Sequence, residues 1–400
     1  MKRARIRSDL LQVGAPVPVD VYDRSGRLLL RRGHAIESEQ QFERLLQTGL
    51  FDPHQIEGAF VGSGDAAGTT SETGTLHSHP VRTRVSIFER LTEAMQALET
   101  TSALSAPAPG FETAIRAVAT AVRECCALDS DAALAYIMLA APARYSLRHS
   151  VGSAILVALL LARLHHDPGR IDAAIAAALT MNVPIFDLQE ALSRQQEPPS
   201  SEQRTAIRLH PIEAAKTLRS HGVADPVWLQ TVEQHHEARD GSGYPAGLEE
   251  GAIVREAQVV SLADRYCGLV SARAYRPALA PRRAIKELHE RAASAIEPSL
   301  IAALIAAVGL FPPGAYVRLA NGETAIVVRR LLDPKHPVVY ALHQDTTAPY
   351  ATPKKRLTAS RRDFDIVADV KPEAVRTKVE PEQLWPPSAV AEATGAESSG

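Results

Sequence analysis

Cysteine is scarce in this chain of 400 residues: there are three, and two of them, Cys125 and Cys126, are neighbours. Adjacent cysteines do not bridge each other, so no disulfide framework exists and nothing asks for an oxidising compartment. An excess of either charge is also missing, with 44 Lys and Arg against 46 Asp and Glu. That balance excludes a global field directed at nucleic acid or a membrane surface. Long hydrophobic runs are absent too. The longest apolar stretch, Val151 to Leu164, carries Arg163 and falls short of the roughly 20 residues that span a bilayer. The basic start, MKRARIRSDLLQVGAPV, lacks the apolar core of a signal peptide. A soluble, cytoplasmic protein without internal repeats is expected, with no nucleic-acid partner and no membrane span.

What is present divides into five segments. Residues 1–57 alternate apolar and polar positions around Arg24-Ser25-Gly26, and Ser38 to Gln41 fits a capping box ahead of a helix. A small α/β module is expected there. Residues 58–83, rich in Gly, Ser and Thr, read as a flexible linker. Residues 84–310 space their apolar side chains at three and four, which predicts an all-α bundle. Residues 311–368 return to alternation, with Asn321-Gly322 as a hairpin turn, and predict a small antiparallel β module. Residues 369–400 read as a disordered tail. The fold class is thus mainly α, a helical bundle flanked by an α/β module and a β module.

Chemistry concentrates in the helical segment. Tyr145 to His149, His210-Pro211, Gln234-His235-His236-Glu237 and Ala263-Asp264 place imidazoles and carboxylates on separate helices. Neutral imidazole suits divalent transition metals, and a carboxylate completes such a shell. Neighbouring histidines on a helix point about 100° apart, so both serve one cleft only where other helices surround it. Directly afterwards comes RDGSGYPAGL, whose glycines allow close backbone approach while Pro245 stiffens the loop around Tyr244. A tight interhelical turn accounts for two of those glycines but not for so dense a set after His-His-Glu.

The stretch HHEARDGSGYPAGL closely resembles the signature of the HD-GYP family, a branch of the HD metal-dependent phosphohydrolases. The likeness continues through ADRYCGLVSARAYRP, RLHPIEAAKTL and RYSLRHSVGSA, in family order, over roughly residues 130 to 290. It implies an all-α bacterial domain that hydrolyses cyclic di-GMP to pGpG or GMP with two or three metal ions, often iron or manganese. By position it implies His149, His210, His235, His236 and Asp264 as metal ligands. Gly243, Tyr244 and Pro245 would form the loop beside the substrate, and Arg273 and Arg276 would face the dinucleotide.

One family motif is broken. Where His-Asp-x-Gly-Lys is expected, this chain reads Met181-Asn182-Val183-Pro184-Ile185, and Tyr145 stands where three-metal members carry Glu. The missing Asp is the ligand that bridges two metals. Asn182 offers one neutral carbonyl oxygen, and the Met181 thioether is a soft ligand. Two-metal hydrolysis clamps the attacking and leaving oxygens, and that clamp needs the bridge. The literal His166-Asp167 pair lies in a connection between helices and does not replace the dyad. Two readings follow. The first is a catalytically impaired regulator that binds cyclic di-GMP, or docks a diguanylate cyclase domain protein, with one divalent Fe or Mn ion on His210, His235 and His236 and only a weak second place at His149 and Asp264. The second is a residual phosphodiesterase that uses the three surviving histidines and Asp264. A scaffold with idle histidines remains as a third.

Overall fold

The structure is a computed structural model. It describes residues 82–391 apart from 104–108, 141–142, 292–294, 332, 345–348 and 376, together with scattered positions between 4 and 51. Contacts divide the chain into two compact units, residues 1–78 and 79–400. In the first unit β1 (Ala4–Arg5), β2 (Val21–Tyr22), β3 (Leu28–Leu30) and β4 (Leu50–Phe51) form an antiparallel sheet in the order β1-β4-β2-β3. Val21 and Ile36 are its fully buried side chains among the described residues. The expected turn at Arg24 to Gly26, the cap at Ser38 and the segment 61–80 lie outside the described residues.

The second unit opens with β5 (Arg82–Val85) and is built on helices. Ser86 caps α1 (Ile87–Ser102), its hydroxyl accepting the Glu89 N–H at 3.3 Å, and Ile87, Leu91, Ala94 and Leu98 bury one face. Next come α2 (Phe111–Leu128) and α3 (Ser130–Leu139), the latter capped by Asp129. The hairpin of α4 (Tyr145–Arg163) and α5 (Pro168–Thr180) forms the centre. Its connection is fixed by Asp167, which caps α5 ahead of Pro168 at the first helical position. Alanines 173, 174, 176, 177 and 178 of α5 are all buried and let α4 approach closely. Beyond a 3-10 turn at Val183–Ile185 follow α6 (Phe186–Arg194), α7 (Ser201–Ser220), α8 (Pro226–Gln234), α9 (Arg255–Val270), α10 (Pro281–Arg291) and α11 (Pro298–Val308). The segments Tyr145–Arg163 and Pro168–Arg194 are long and apolar enough to cross a membrane, but most of each is buried inside this bundle.

The strands β6 (Tyr316–Leu319), β7 (Glu323–Arg329), β8 (Val338–Gln344), β9 (Lys354–Leu357) and β10 (Ile366–Asp369) form an antiparallel sheet in the order β10-β6-β7-β8-β9. Asn321-Gly322 makes the expected hairpin, with Gly322 at φ 85° and Arg318 opposite Thr324. The period of two sorts β7: Ile326 and Val328 join the helical core, while Ala325 and Val327 face a second small core with Val339. Arg329 forks onto Asp129 at 2.5 and 2.7 Å, which ties the sheet to the start of α3. Residues 311–368 therefore share one compact unit with the helices.

The tail departs from expectation as far as it is described. Among the described residues between 369 and 391, β11 (Ser388–Ala391) pairs antiparallel with β5, and Trp385 is buried against Phe88. The Trp385 indole N–H donates to the Val328 carbonyl at 3.1 Å. Polar composition concealed one large aromatic anchor and one strand-forming run. The same pairing places Arg82 and Thr83, expected at the end of the linker, in a strand.

Candidate functional site

Residue by residue, the local chain explains how the imidazoles are held. Pro211 sits inside α7 without an N–H, so the Ile207 carbonyl four residues earlier has no helical donor. The Nδ1–H of His210 supplies one, donating to Ile207 O at 2.6 Å. His235 follows the last residue of α8, where carbonyls run out of helical partners. Its Nδ1–H donates to Val232 O at 2.6 Å. Both rings are thereby fixed with Nε2 as an unprotonated lone pair.

Those two Nε2 atoms lie 3.1 Å apart. Neither carries a proton to share, so their lone pairs oppose each other. Two imidazole nitrogens about 2.1 Å from one ion in a tetrahedral or octahedral shell sit roughly 3.0–3.4 Å apart. His236 completes the group: one ligand atom from each of His210, His235 and His236 lies within 4.8 Å of the others. This donor set fits a divalent transition metal. Burial pushes His210 down to about 3, with His235 adding to the effect, and lowers His235 and His236 as well. All three are neutral at pH 7, the state a metal requires.

His149 and Asp264 behave differently. The His149 Nε2–H donates to Asp264 Oδ1 at 2.8 Å, while the buried His149 Nδ1 has no hydrogen-bond partner among the described residues. Burial drives the Asp264 carboxyl up, but the His149 hydrogen bond and the nearby imidazoles outweigh it and hold the group well below the usual carboxylate range.

A cavity of about 440 Å³ lies over this centre, and His149, His210, His236, Asp264, Tyr244 and Asn182 are among its lining residues. The broken dyad is split by direction. Asn182 lines the cavity, with its buried Nδ2 unpartnered, whereas Met181 is packed in the hydrophobic core. Ile185 lines the cavity as well. His235 is fully buried behind it.

The loop after His236 is clasped by Glu237. Its carboxylate accepts the Ala246 N–H at 2.7 Å and the Leu248 N–H at 2.8 Å. Gly243 passes so close to Glu237 and Ala238 that a Cβ would lie 2.3 Å from the Ala238 nitrogen. The Tyr244–Pro245 peptide is cis, and the Tyr244 ring stacks on His236 at 4.7 Å. Gly243 and Pro245 shape the loop, while Tyr244 alone of the three lines the cavity.

Arg273 and Arg276 line the cavity but are spent on the protein. Arg273 donates to the Tyr145 hydroxyl at 3.1 and 2.6 Å and to that of Tyr275 at 2.9 Å. Arg276 donates to the carbonyls of Leu269 and Gly268 at the end of α9. His166 and Asp167 stand apart from the centre: His166 Nε2 bonds the buried Glu256 at 2.6 Å, and Asp167 is the cap of α5. Sequence reasoning missed Gln189 of the cavity wall and Glu190, which accepts the Ser146 N–H at 2.8 Å and secures the start of α4. No local pattern marks either one.

Residues 138–300 match the HD domain family. This region is an HD domain. Similar proteins include a cyclic di-GMP phosphodiesterase of Pseudomonas aeruginosa, 26% identical over 55% of this chain and 54% of that protein. The cyclic di-GMP phosphodiesterase PdeB of Borreliella burgdorferi is 25% identical over 46% of this chain and 49% of its own. The cyclic di-GMP phosphodiesterase response regulator RpfG of Xanthomonas campestris is 40% identical over 18% of this chain and 19% of its own. The chain spans about half the length, or less, of these relatives. The histidine centre and the Glu237-clasped loop both lie inside the HD domain.

Proposed function

We propose that this HD domain binds cyclic di-GMP beside a single divalent transition metal ion, iron or manganese, held by His210, His235 and His236, and that its phosphodiester hydrolysis is impaired. One observation carries the reading. Of the two dyad positions, the one that lines the cavity is the neutral Asn182, which does not supply a bridging carboxylate. The pairing of His149 with Asp264 supports it, because the His149 Nε2 is engaged by the carboxylate rather than left as a free lone pair.

A divalent ion on the three imidazoles would supply Lewis acidity towards a phosphoryl oxygen. The chain itself contributes Tyr244, whose ring borders the cavity as a stacking surface for a base, and the fixed tautomers of His210 and His235. Docking of a diguanylate cyclase domain protein, and a cytoplasmic setting, belong to the same proposal.

A second reading, a working cyclic di-GMP phosphodiesterase on the surviving ligands, is favoured by the names of the relatives. One experiment separates the two. Protein loaded anaerobically with Mn or Fe is expected to bind cyclic di-GMP and leave it intact. Steady turnover that His235→Ala abolishes would establish the second reading instead.

A further inference from the structure

Arg208 and Arg265 both lie near Tyr244; Arg265 lines the cavity, and Arg208 is exposed on α7 outside its lining. Arg208 lies on α7 two residues before His210, with its guanidinium carbon 5.8 Å from the centre of the Tyr244 ring. Arg265 lies on α9 next to Asp264 and lines the cavity. Both are close enough to act electrostatically on the Tyr244 hydroxyl, and Arg265 acts on His236 as well. Among the described residues neither guanidinium makes a hydrogen bond or an ion pair. Arg273 and Arg276, by contrast, are held by protein oxygens.

That difference decides which arginines are available to a ligand. A guanidinium carries five N–H donors and no acceptor, so without a protein acceptor it is bonded by water or by an anion. Releasing Arg273 would strip the buried Tyr145 hydroxyl of two bonds, whereas Arg208 and Arg265 give up no hydrogen bond or ion pair, and Arg208 only its place over the Tyr244 ring. A phosphodiester carries one delocalised negative charge on two non-bridging oxygens, a match for the planar fork.

We infer that Arg208 and Arg265 form an anion clamp across Tyr244 that grips a phosphodiester of the bound cyclic dinucleotide, with Arg273 and Arg276 as structural braces. The clamp rests on the reading of the cavity as a cyclic dinucleotide site. It assigns charge recognition to α7 and α9, and α7 also carries His210 of the metal site.

The test is calorimetric titration of the full chain with cyclic di-GMP at several salt concentrations. Arg208→Ala and Arg265→Ala are each expected to weaken binding about tenfold or more, the scale of one charge-assisted hydrogen bond. The double variant should show a shallower salt dependence than the parent, a readout that lost packing would not move. Arg265→Lys keeps the charge without the fork and should fall between. Thermal melts of each variant establish that the fold is retained, and neither side chain takes a hydrogen bond or ion pair from the protein with it. Parent-like affinity and salt dependence in the double variant would overturn the clamp alone. Absence of binding by the parent would overturn both the clamp and the cyclic dinucleotide reading.

Discussion

A methyl group at position 243 has no space: it would meet the Ala238 nitrogen at 2.3 Å and the Glu237 Cα at 2.5 Å. Gly243→Ala is expected to force the loop away from His236 and to cost about 1–3 kcal/mol, measured as a shift in the denaturant midpoint. Glu237→Gln tests the same loop from its clasp. One carboxylate oxygen becomes an NH₂ facing an N–H, and limited proteolysis between residues 238 and 248 should quicken. At this scale the histidines were legible, because each motif is local: His-Pro in α7, His-His at the end of α8, Ala-Asp in α9. Direction was not. Met181 and Asn182 are adjacent in sequence, yet one faces the core and the other the cavity. Arg273 and Arg276 were legible as basic residues near the site, but their hydrogen-bond partners, Tyr145 above all, come from other elements or from the helix end. Glu237 was noticed beside the histidines, and only the folded loop turns it into an acceptor for two backbone N–H groups.

Among the elements, β7 carries a tightly bonded carboxylate outside the cavity. Glu323 is gripped by Arg356 at 2.7 and 2.9 Å and also accepts from Asn321 and Tyr350. The Arg356 hydrogen bonds, opposed by burial, bring its carboxyl down to about 2. The folded pKa thus lies below the unfolded value near 4.3. Its stabilisation is complete above that unfolded value and drains away as pH falls towards about 2. Glu323→Gln should therefore lower stability at neutral pH and flatten the acid limb of a melting-temperature profile in that window. The hairpin was readable because Asn-Gly between alternating runs leaves few other options. The central helix α4 was readable only as apolar: it is buried on nearly every side, so no face stands out, and its place at the centre of the bundle comes from its neighbours.

On the scale of the molecule, the helical bundle, the five-stranded sheet and the ordered tail belong to one unit, and the N-terminal sheet to another. Trp385 joins tail, sheet and bundle: its ring meets Phe88 of α1 and its N–H meets the Val328 carbonyl of β7. Trp385→Ala is expected to cost about 3–5 kcal/mol in urea unfolding of the full chain, as for a buried aromatic removed from a core. A composition rich in Pro, Glu and Ser hid that anchor, since order at a chain end rests on a few long-range contacts that no local pattern reports. How many ions the HD domain holds separates a single-ion site from a two-metal centre, and metal content per chain after anaerobic loading with Mn or Fe measures it directly. One ion per chain is predicted, lost in His235→Ala and retained in His149→Ala. Two ions per chain, one of them lost when His149 is removed, would contradict it.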